Sequence, residues 1–477
     1  FLQACACVIW GADTMTTTTE DEQQHEEYDS KRHAGLYGAQ RVKAMSAVLL
    51  ALLLSVLDYA IANVALPLIA VDLHASSSRA IWVVNAYQLA NLSCLLPLAS
   101  LGARVGFGRL SQFGIFLFLM ASVACALSQN LLELTLARAL QGVGGACIMS
   151  VNIALVRFIY PHNELGRGIA LNGLFVGIGV ALGPTLGSLI LSVATWPWIF
   201  WINLPLALAA LALAHAALPQ TPRSDIPTDV VGSLLTVASF ALTGVGLDGL
   251  MHADFVSGAA VTAAGVLCWA MLLHYQRERL EPIVPVDLLA RRPFLLACLV
   301  GFLGFVASNL YIVAMPFTLA TAFHRGAGTI GLLIAPWAVG VATMSFVVSR
   351  LADRFPASVL SSIGLFITAS GFCLLWFLPT DAGNWDIAWR TLFAGCGFGL
   401  FQPPNNRAIM VTAPPGREGG ASGMLSVARL AGQTTGALLV AALFTIFPHP
   451  AFICLGAAMT VALTGSILSL GRKYLAA

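Results

Sequence analysis

The chain has 477 residues, 58% hydrophobic and only 10% charged, with a mean hydropathy of +0.84. An ordinary water-soluble domain carries about a quarter charged residues, so this composition belongs in lipid and leaves no room for a soluble catalytic domain. The net charge of +2 implies no nucleic-acid partner, and in a membrane chain the positions of Lys and Arg matter more than their sum.

From the beginning of the chain, Phe1 to Thr14 contain an apolar run too short to cross a bilayer and read as sequence upstream of a start at Met15. Thr16 to His33 are polar and rich in Glu, Gln and Asp, which predicts a disordered cytoplasmic tail over 1–43. Apolar runs long enough to span then fall at 44–66, 80–101, 110–128, 132–155, 166–192, 197–218, 229–250, 256–275, 294–320, 328–349, 357–378, 387–406, 420–446 and 451–471. These fourteen runs predict an all-α integral membrane protein.

Positive charge tests the count, because a wrong number of spans would scramble which joints carry it. Only Arg79 and Arg325 fall on one side of the membrane, while Arg138, Arg390 and Arg429 lie inside spans. Every other Lys and Arg of the 24 falls on the opposite side, which places both termini in the cytoplasm.

The chain also repeats itself at an offset of roughly 250 residues. Val64-Ala65-Leu66-Pro67 ends the first span and Val313-Ala314-Met315-Pro316 lies in the ninth. Arg104 matches Arg354 and Arg138 matches Arg390, each of the latter two preceding a glycine-rich stretch. The expected organisation is therefore a six-helix bundle at 44–218, two inserted spans and a cytoplasmic linker at 219–293, and a second six-helix bundle at 294–477.

Polar residues inside spans are costly and so are the functional candidates. Asp58 is the acidic residue clearly within the core, where a carboxylate costs about 2.5–3.5 kcal/mol on insertion scales. It could exchange a proton as its exposure changes, or simply pair with a buried arginine. Arg138, with Gln141 one turn on, presents a permanent positive charge in span four, and Arg429 does so in span thirteen. Gly179, Gly183 and Gly187 line one face of span five around Pro184, either as small-residue packing or as a tight, bent contact between the halves. Asn63, Asn85, Tyr87, Gln88, Asn91 and Gln141 in the first half, and Asn309, Tyr311, Trp337, Gln402, Asn405 and Arg429 in the second, suit a wet cavity for varied apolar ligands.

These motifs together resemble the fourteen-span drug:proton antiporters of the major facilitator superfamily, over about residues 44–471. Leu57 to Pro67 is similar to that group's span-one signature, Leu136 to Gly142 to its span-four motif, and Gly179 to Gly187 to its antiporter motif. The resemblance implies proton coupling through Asp58 and Arg138, and gating loops at Arg104, Gly106 and Arg109 and at Asp353 and Arg354. It also implies an inner-membrane location, a small-molecule substrate, protons as partners, and an outer-membrane export assembly as a further candidate partner. Three departures stand out: Ala103 replaces the acidic residue of the first loop, Pro356 follows the second, and Ser188 stands where a glycine is usual.

The expected function is proton-coupled export of small, largely apolar or amphipathic compounds by alternating access. Export of one metabolite or siderophore is the alternative, and a channel or scaffold is the other class. No phosphate-binding Gly-x-x-x-x-Gly-Lys-Ser loop occurs, the nine histidines are dispersed, and the ten cysteines lack paired spacing, so neither cofactor nor metal is expected.

Overall fold

Within hydrocarbon every backbone N–H and C=O must be satisfied inside its own segment, so apolar runs of this length fold as helices. A computed structural model describes residues 35–161, 164–221, 229–251, 255–277, 283–351, 354–379, 381–414, 417–447 and 450–475. Residues 1–34 of the tail expected over 1–43, and Asp353 of the second loop, lie outside these residues, while 38–43 of that tail are helical.

The long helices are α1 (Gly38–Asp72), α2 (Trp82–Val105), α3 (Phe107–Leu127), α4 (Leu131–Ile159), α5 (Leu165–Val193), α6 (Asn203–Ala217) and α7 (Val230–Met251). They continue as α8 (Phe255–Gln276), α9 (Arg292–Thr321), α10 (Ala327–Leu351), α11 (Ala357–Trp376), α12 (Asn384–Thr412), α13 (Glu418–Ile446) and α14 (Pro450–Leu475). Each coincides with one predicted span. Short helical turns, Ser77–Ala80 and Trp198–Trp201, lead into α2 and α6.

Among the described residues thirteen helices are long and apolar enough to cross a bilayer. The remaining long helix, α12, carries Arg390, Gln402, Pro403, Pro404, Asn405 and Arg407, which lower its hydropathy. It nevertheless spans 29 residues and packs against α10 and α11. Protein neighbours on both sides let a polar helix sit at membrane depth.

The two sets of six helices pack by the same scheme. In the first, α4 lies against α2 and α3, and α1 against α5 and α6; in the second, α12 lies against α10 and α11, and α9 against α13 and α14. The sets meet along α5 with α10, α2 with α13, and α1 with α9. The first two of these seams exchange under the repeat, since α5 corresponds to α13 and α10 to α2. The inserted α7 and α8 form a hairpin, and α7 rests on both α2 and α13.

The glycine stripe of α5 meets α1, within its own half. A Cβ at Gly179 would approach Val56, one at Gly187 would approach Ile61, and one at Gly183 would lie 2.2 Å from the Ala60 Cβ. This corrects the reading in which the stripe joins the halves. Small residues allow the α1 and α5 backbones to approach in a medium that supplies little hydrophobic drive between helices. Pro184 lies on this helix but leaves it unbroken over Leu165–Val193.

Gly183→Val should therefore force α1 and α5 apart, costing about 1–3 kcal/mol by overpacking. Gly177→Val, at a position where a Cβ meets nothing within 4 Å, should leave stability near wild type. Thermal unfolding of the two purified variants in one detergent checks the contrast.

Candidate functional site

Asp58 sits on α1 and is 2% exposed, and Arg138 on α4 is fully buried. Arg138 Nη1 donates to Asp58 Oδ2 at 2.5 Å, and Arg138 Nε donates to the Val83 carbonyl on α2 at 3.0 Å. The other carboxylate oxygen, Oδ1, accepts from Gln141 Nε2 at 2.9 Å and from Asn203 Nδ2 at 2.7 Å. Ser122 Oγ on α3 accepts from Gln141 Nε2 at 2.9 Å. One carboxylate thus ties together five helices of the first half: α1, α2, α3, α4 and α6.

The Arg138 guanidinium also lies over the Tyr87 ring, 4.5 Å from its centroid, with Phe200 at 5.7 Å. Tyr87 in turn shares a hydrogen bond between its hydroxyl and Ser55 Oγ at 2.7 Å. Burying two charges requires such geometry, because the desolvation cost is recovered only when further hydrogen bonds satisfy the remaining lone pairs and protons. Gln141 and Tyr87, expected at the substrate cavity, belong instead to this sealed cluster.

The next residue on α1 faces the other half. Tyr59 Oη donates to Asn309 Oδ1 on α9, and Asn309 Nδ2 donates to the Gln433 carbonyl on α13. Asn63, one turn from Tyr59, donates to the Tyr59 carbonyl at 2.8 Å. Gln88 and Asn91 lie one turn apart on α2, both 1% exposed, and the Gln88 amide and Asn91 Oδ1 have no hydrogen-bond partner among the described residues. Tyr59, Asn309 and the Gln433 carbonyl form a polar contact between the halves, while Asn91 Nδ2 donates to Met149 Sδ on α4 in its own half at 3.5 Å.

Three cavity candidates of the second half serve packing there. Tyr311 Oη donates to Thr391 Oγ1 at 3.3 Å, and its ring packs on Trp337 and Phe372. Trp337 stacks on Phe372 at an interplanar angle of 8°. Asn405 donates to the Ala297 carbonyl and accepts from Arg472 Nη1, both at 3.1 Å, so it joins α12 to α9 and α14. Gln402 is half-buried on α12. Arg390, the repeat partner of Arg138, pairs with Asp386 one turn away at 3.1 Å rather than with a core acid.

The halves are clasped where α5 ends and α10 begins. Ser188 Oγ accepts from the Gly331 amide at 2.7 Å and donates to the Ala327 carbonyl at 2.9 Å, entering the first turn of α10. A Cβ at Gly331 would meet the Pro184 carbonyl at 2.1 Å. The residue flagged as a departure from the antiporter motif is thus the hydroxyl that bridges the halves. A parallel clasp joins Ser78, before α2, to the Ala441 carbonyl at 3.0 Å and to Thr445 near the end of α13. Toward the other end of α5, a Cβ at Gly173 or Gly177 would have nothing within 4 Å.

Of the loop candidates, Arg104, Arg109 and Arg354 are exposed. Gly106 has φ +105°, a backbone that glycine alone adopts without strain, and it turns α2 directly into α3.

The sequence of the chain matches the profile of the Major Facilitator Superfamily over residues 48–305 and 297–474. The chain belongs to that superfamily. It is 42% identical over 422 residues to the Escherichia coli protein described as the uncharacterized transporter YebQ, covering 87% of this chain and 91% of that one. The riboflavin transporter RibZ of Clostridioides difficile is 28% identical, with 79% and 82% covered. The multidrug export protein EmrB of Escherichia coli is also 28% identical, with 86% and 81% covered. A crystal structure of a peptide transporter, POT, in complex with sulfate superposes with a TM-score of 0.69 at 13% identity, covering 94% of this chain and 97% of that one. That likeness carries the fold alone. The chain is thus a multi-pass membrane transporter of small molecules.

Asn203 and Ser122 complete the acid's shell and were not singled out from the sequence. A signal existed for Asn203, an amide just inside span six in Trp201-Ile202-Asn203-Leu204-Pro205. Asp58→Leu should leave Arg138 charged and stripped of its acceptor, destabilising the fold by about 3–5 kcal/mol, whereas Asp58→Leu combined with Arg138→Met should recover most of that loss. Thermal unfolding of the single and double variants, compared as a double-mutant cycle, measures the coupling.

Proposed function

We propose that the chain exports small amphipathic molecules in exchange for protons, with Asp58 as the exchanging group and Arg138 as its counter-charge. The observation that carries this reading is the placement of adjacent residues on α1. Asp58 is held by Arg138 inside the first half, while Tyr59 reaches across to Asn309 in the second. Protonating Asp58 would release its tie to Arg138 and allow α1 to shift, and with it the contact between the halves. A charge state in one bundle would thereby bias the rocking that alternating access requires.

With both termini cytoplasmic in an inner membrane, the Ser188 and Ser78 clasps face outward. The state described is then closed to the outside and open inward along the termini-side half of α5, ready to load substrate. An inward-directed proton gradient would drive the return. Each elementary charge crossing the field adds about 2.3 kcal/mol per 100 mV. Export as the direction, and multidrug compounds as the substrate range, draw support from the likeness to EmrB. In this reading the loops at Arg104, Gly106, Arg109, Asp353 and Arg354 gate the inner side. If the chain works with an outer-membrane export assembly, that assembly would meet the outer face.

A second reading follows from the 2% exposure of Asp58: the ion pair is a structural tie, and the driving ion binds elsewhere. Transport by Asp58→Asn in inverted vesicles separates the two. Proton coupling predicts that an imposed pH gradient no longer drives uphill movement while substrate counterflow persists. Uphill movement at the wild-type rate would leave only the structural reading.

Gly331→Val should push α10 off Pro184 and Ser188 and favour the outward-open state. The expected result is several-fold faster labelling of a cysteine at Ala327 by an impermeant maleimide added outside, compared with the same cysteine in the otherwise wild-type chain.

A further inference from the structure

Three arginines lie inside the spans, and two of them are paired with an acid. Arg138 has Asp58, Gln141 and the Val83 carbonyl. Arg390 has Asp386 and the Leu374 carbonyl. Arg429, on α13, has neither a hydrogen bond nor an ion pair among the described residues, and it is half-buried rather than turned out to water. A guanidinium cannot shed its proton to escape this situation. An unpaired charge at such depth is costly and marks a ligand position more often than a packing position.

The surroundings of Arg429 locate it in the cavity. It lies one turn from Gln433, whose carbonyl accepts from Asn309 at the contact between the halves. The turn separating them runs toward the termini, the side on which α5 and α10 part. The helix that carries Arg429, α13, packs against α2 of the opposite half. On α2 stand Gln88, with both amide atoms unpartnered, and Asn91, whose Nδ2 donates to Met149 Sδ at 3.5 Å and whose Oδ1 is unpartnered. Among the described residues no carboxylate pairs with Arg429, and Asp58 already has both oxygens occupied by Arg138, Gln141 and Asn203.

We infer that the central cavity selects amphipathic organic anions, with Arg429 holding a carboxylate or comparable anionic group and Gln88 and Asn91 bonding neighbouring polar atoms. This names the substrate class for the export reading above and rests on it. The two remain separable, because charge selection is an equilibrium property that needs no gradient. A planar guanidinium fork suits a carboxylate, and such charge-assisted bonds are roughly twice as strong as neutral ones. An unpartnered buried cation also rejects a cationic ligand by like-charge repulsion, so discrimination has both an attractive and a repulsive part.

The test uses the full chain in lipid nanodiscs at fixed pH and three probes with one ring system: naphthalene-2-carboxylate, naphthalene-2-carboxamide and 2-naphthylmethylammonium. Binding is read by tryptophan fluorescence. The wild type should bind the carboxylate about tenfold more tightly than the amide, and the ammonium more weakly still. Arg429→Gln should abolish the preference, Arg429→Lys should keep much of it, and Arg79→Gln, on the exposed rim, should not change it. Equal binding of the three probes, preference for the ammonium, no saturable binding of the carboxylate, or a preference that survives Arg429→Gln would overturn the inference. The wild-type series decides the matter even if a variant fails to fold. A cation preference would leave proton-driven export standing, whereas loss of gradient drive leaves the anion preference standing.

Discussion

A charge inside a membrane protein must find its opposite or a ligand, and the first half of this transporter is organised around one such pairing. The Asp58 carboxylate draws donors from α4 and α6, while its partner Arg138 reaches a carbonyl of α2. Without hydrophobic drive between helices in lipid, close packing and hydrogen bonds of this kind hold the bundle together. The second half has no matching ion pair at its centre among the described residues, and its Arg390 pairs with Asp386 one turn away. Where the first half has its ion pair, the second has the stacked rings of Tyr311, Trp337 and Phe372, with Thr391 as a neutral partner.

This asymmetry gives the halves different roles within one packing scheme. In the proposed reading the first half contains the group that exchanges a proton, and the second contributes the unpaired cation of the cavity. Apolar residues of both halves share one core, and three polar ties cross between them: Tyr59 with Asn309, Ser188 with the first turn of α10, and Ser78 with the end of α13. Hydroxyl-to-backbone bonds can break and reform during a rocking motion, whereas the glycine-packed seam of α1 and α5 moves as one body. The motif glycines thus stiffen the rocker, and the serine beside them touches what it rocks against.

The helices were legible in the sequence because lipid imposes one rule on backbone and side chain alike: an apolar run of sufficient length is a helix. Even α12, with its prolines and arginines, coincides with the span expected at 387–406. Asp58 and Arg138 were legible as costly residues, and the duplicated Arg104/Arg354 and Arg138/Arg390 pairs gave the repeat. Direction was not legible. Helical periodicity with no polar outer face cannot say which side of α5 meets α1 and which meets α10, so the sequence left the glycine stripe open between packing within a half and a contact between the halves. Likewise Gln141, Tyr311, Trp337 and Asn405 have the chemistry of cavity residues but face into their own halves, and only the packing separates them from Gln88, Asn91 and Arg429.

The central claim is that Asp58 alternates between a carboxylate held by Arg138 and a neutral acid that releases it. Infrared difference spectroscopy of the purified protein between acidic and alkaline buffer reads this directly, through the carbonyl stretch of a protonated carboxyl group. The account predicts a pH-dependent band from a protein-enclosed carboxylic acid that is present in the wild type and missing in Asp58→Asn. A wild type without that band, or a variant that retains it, would contradict the account.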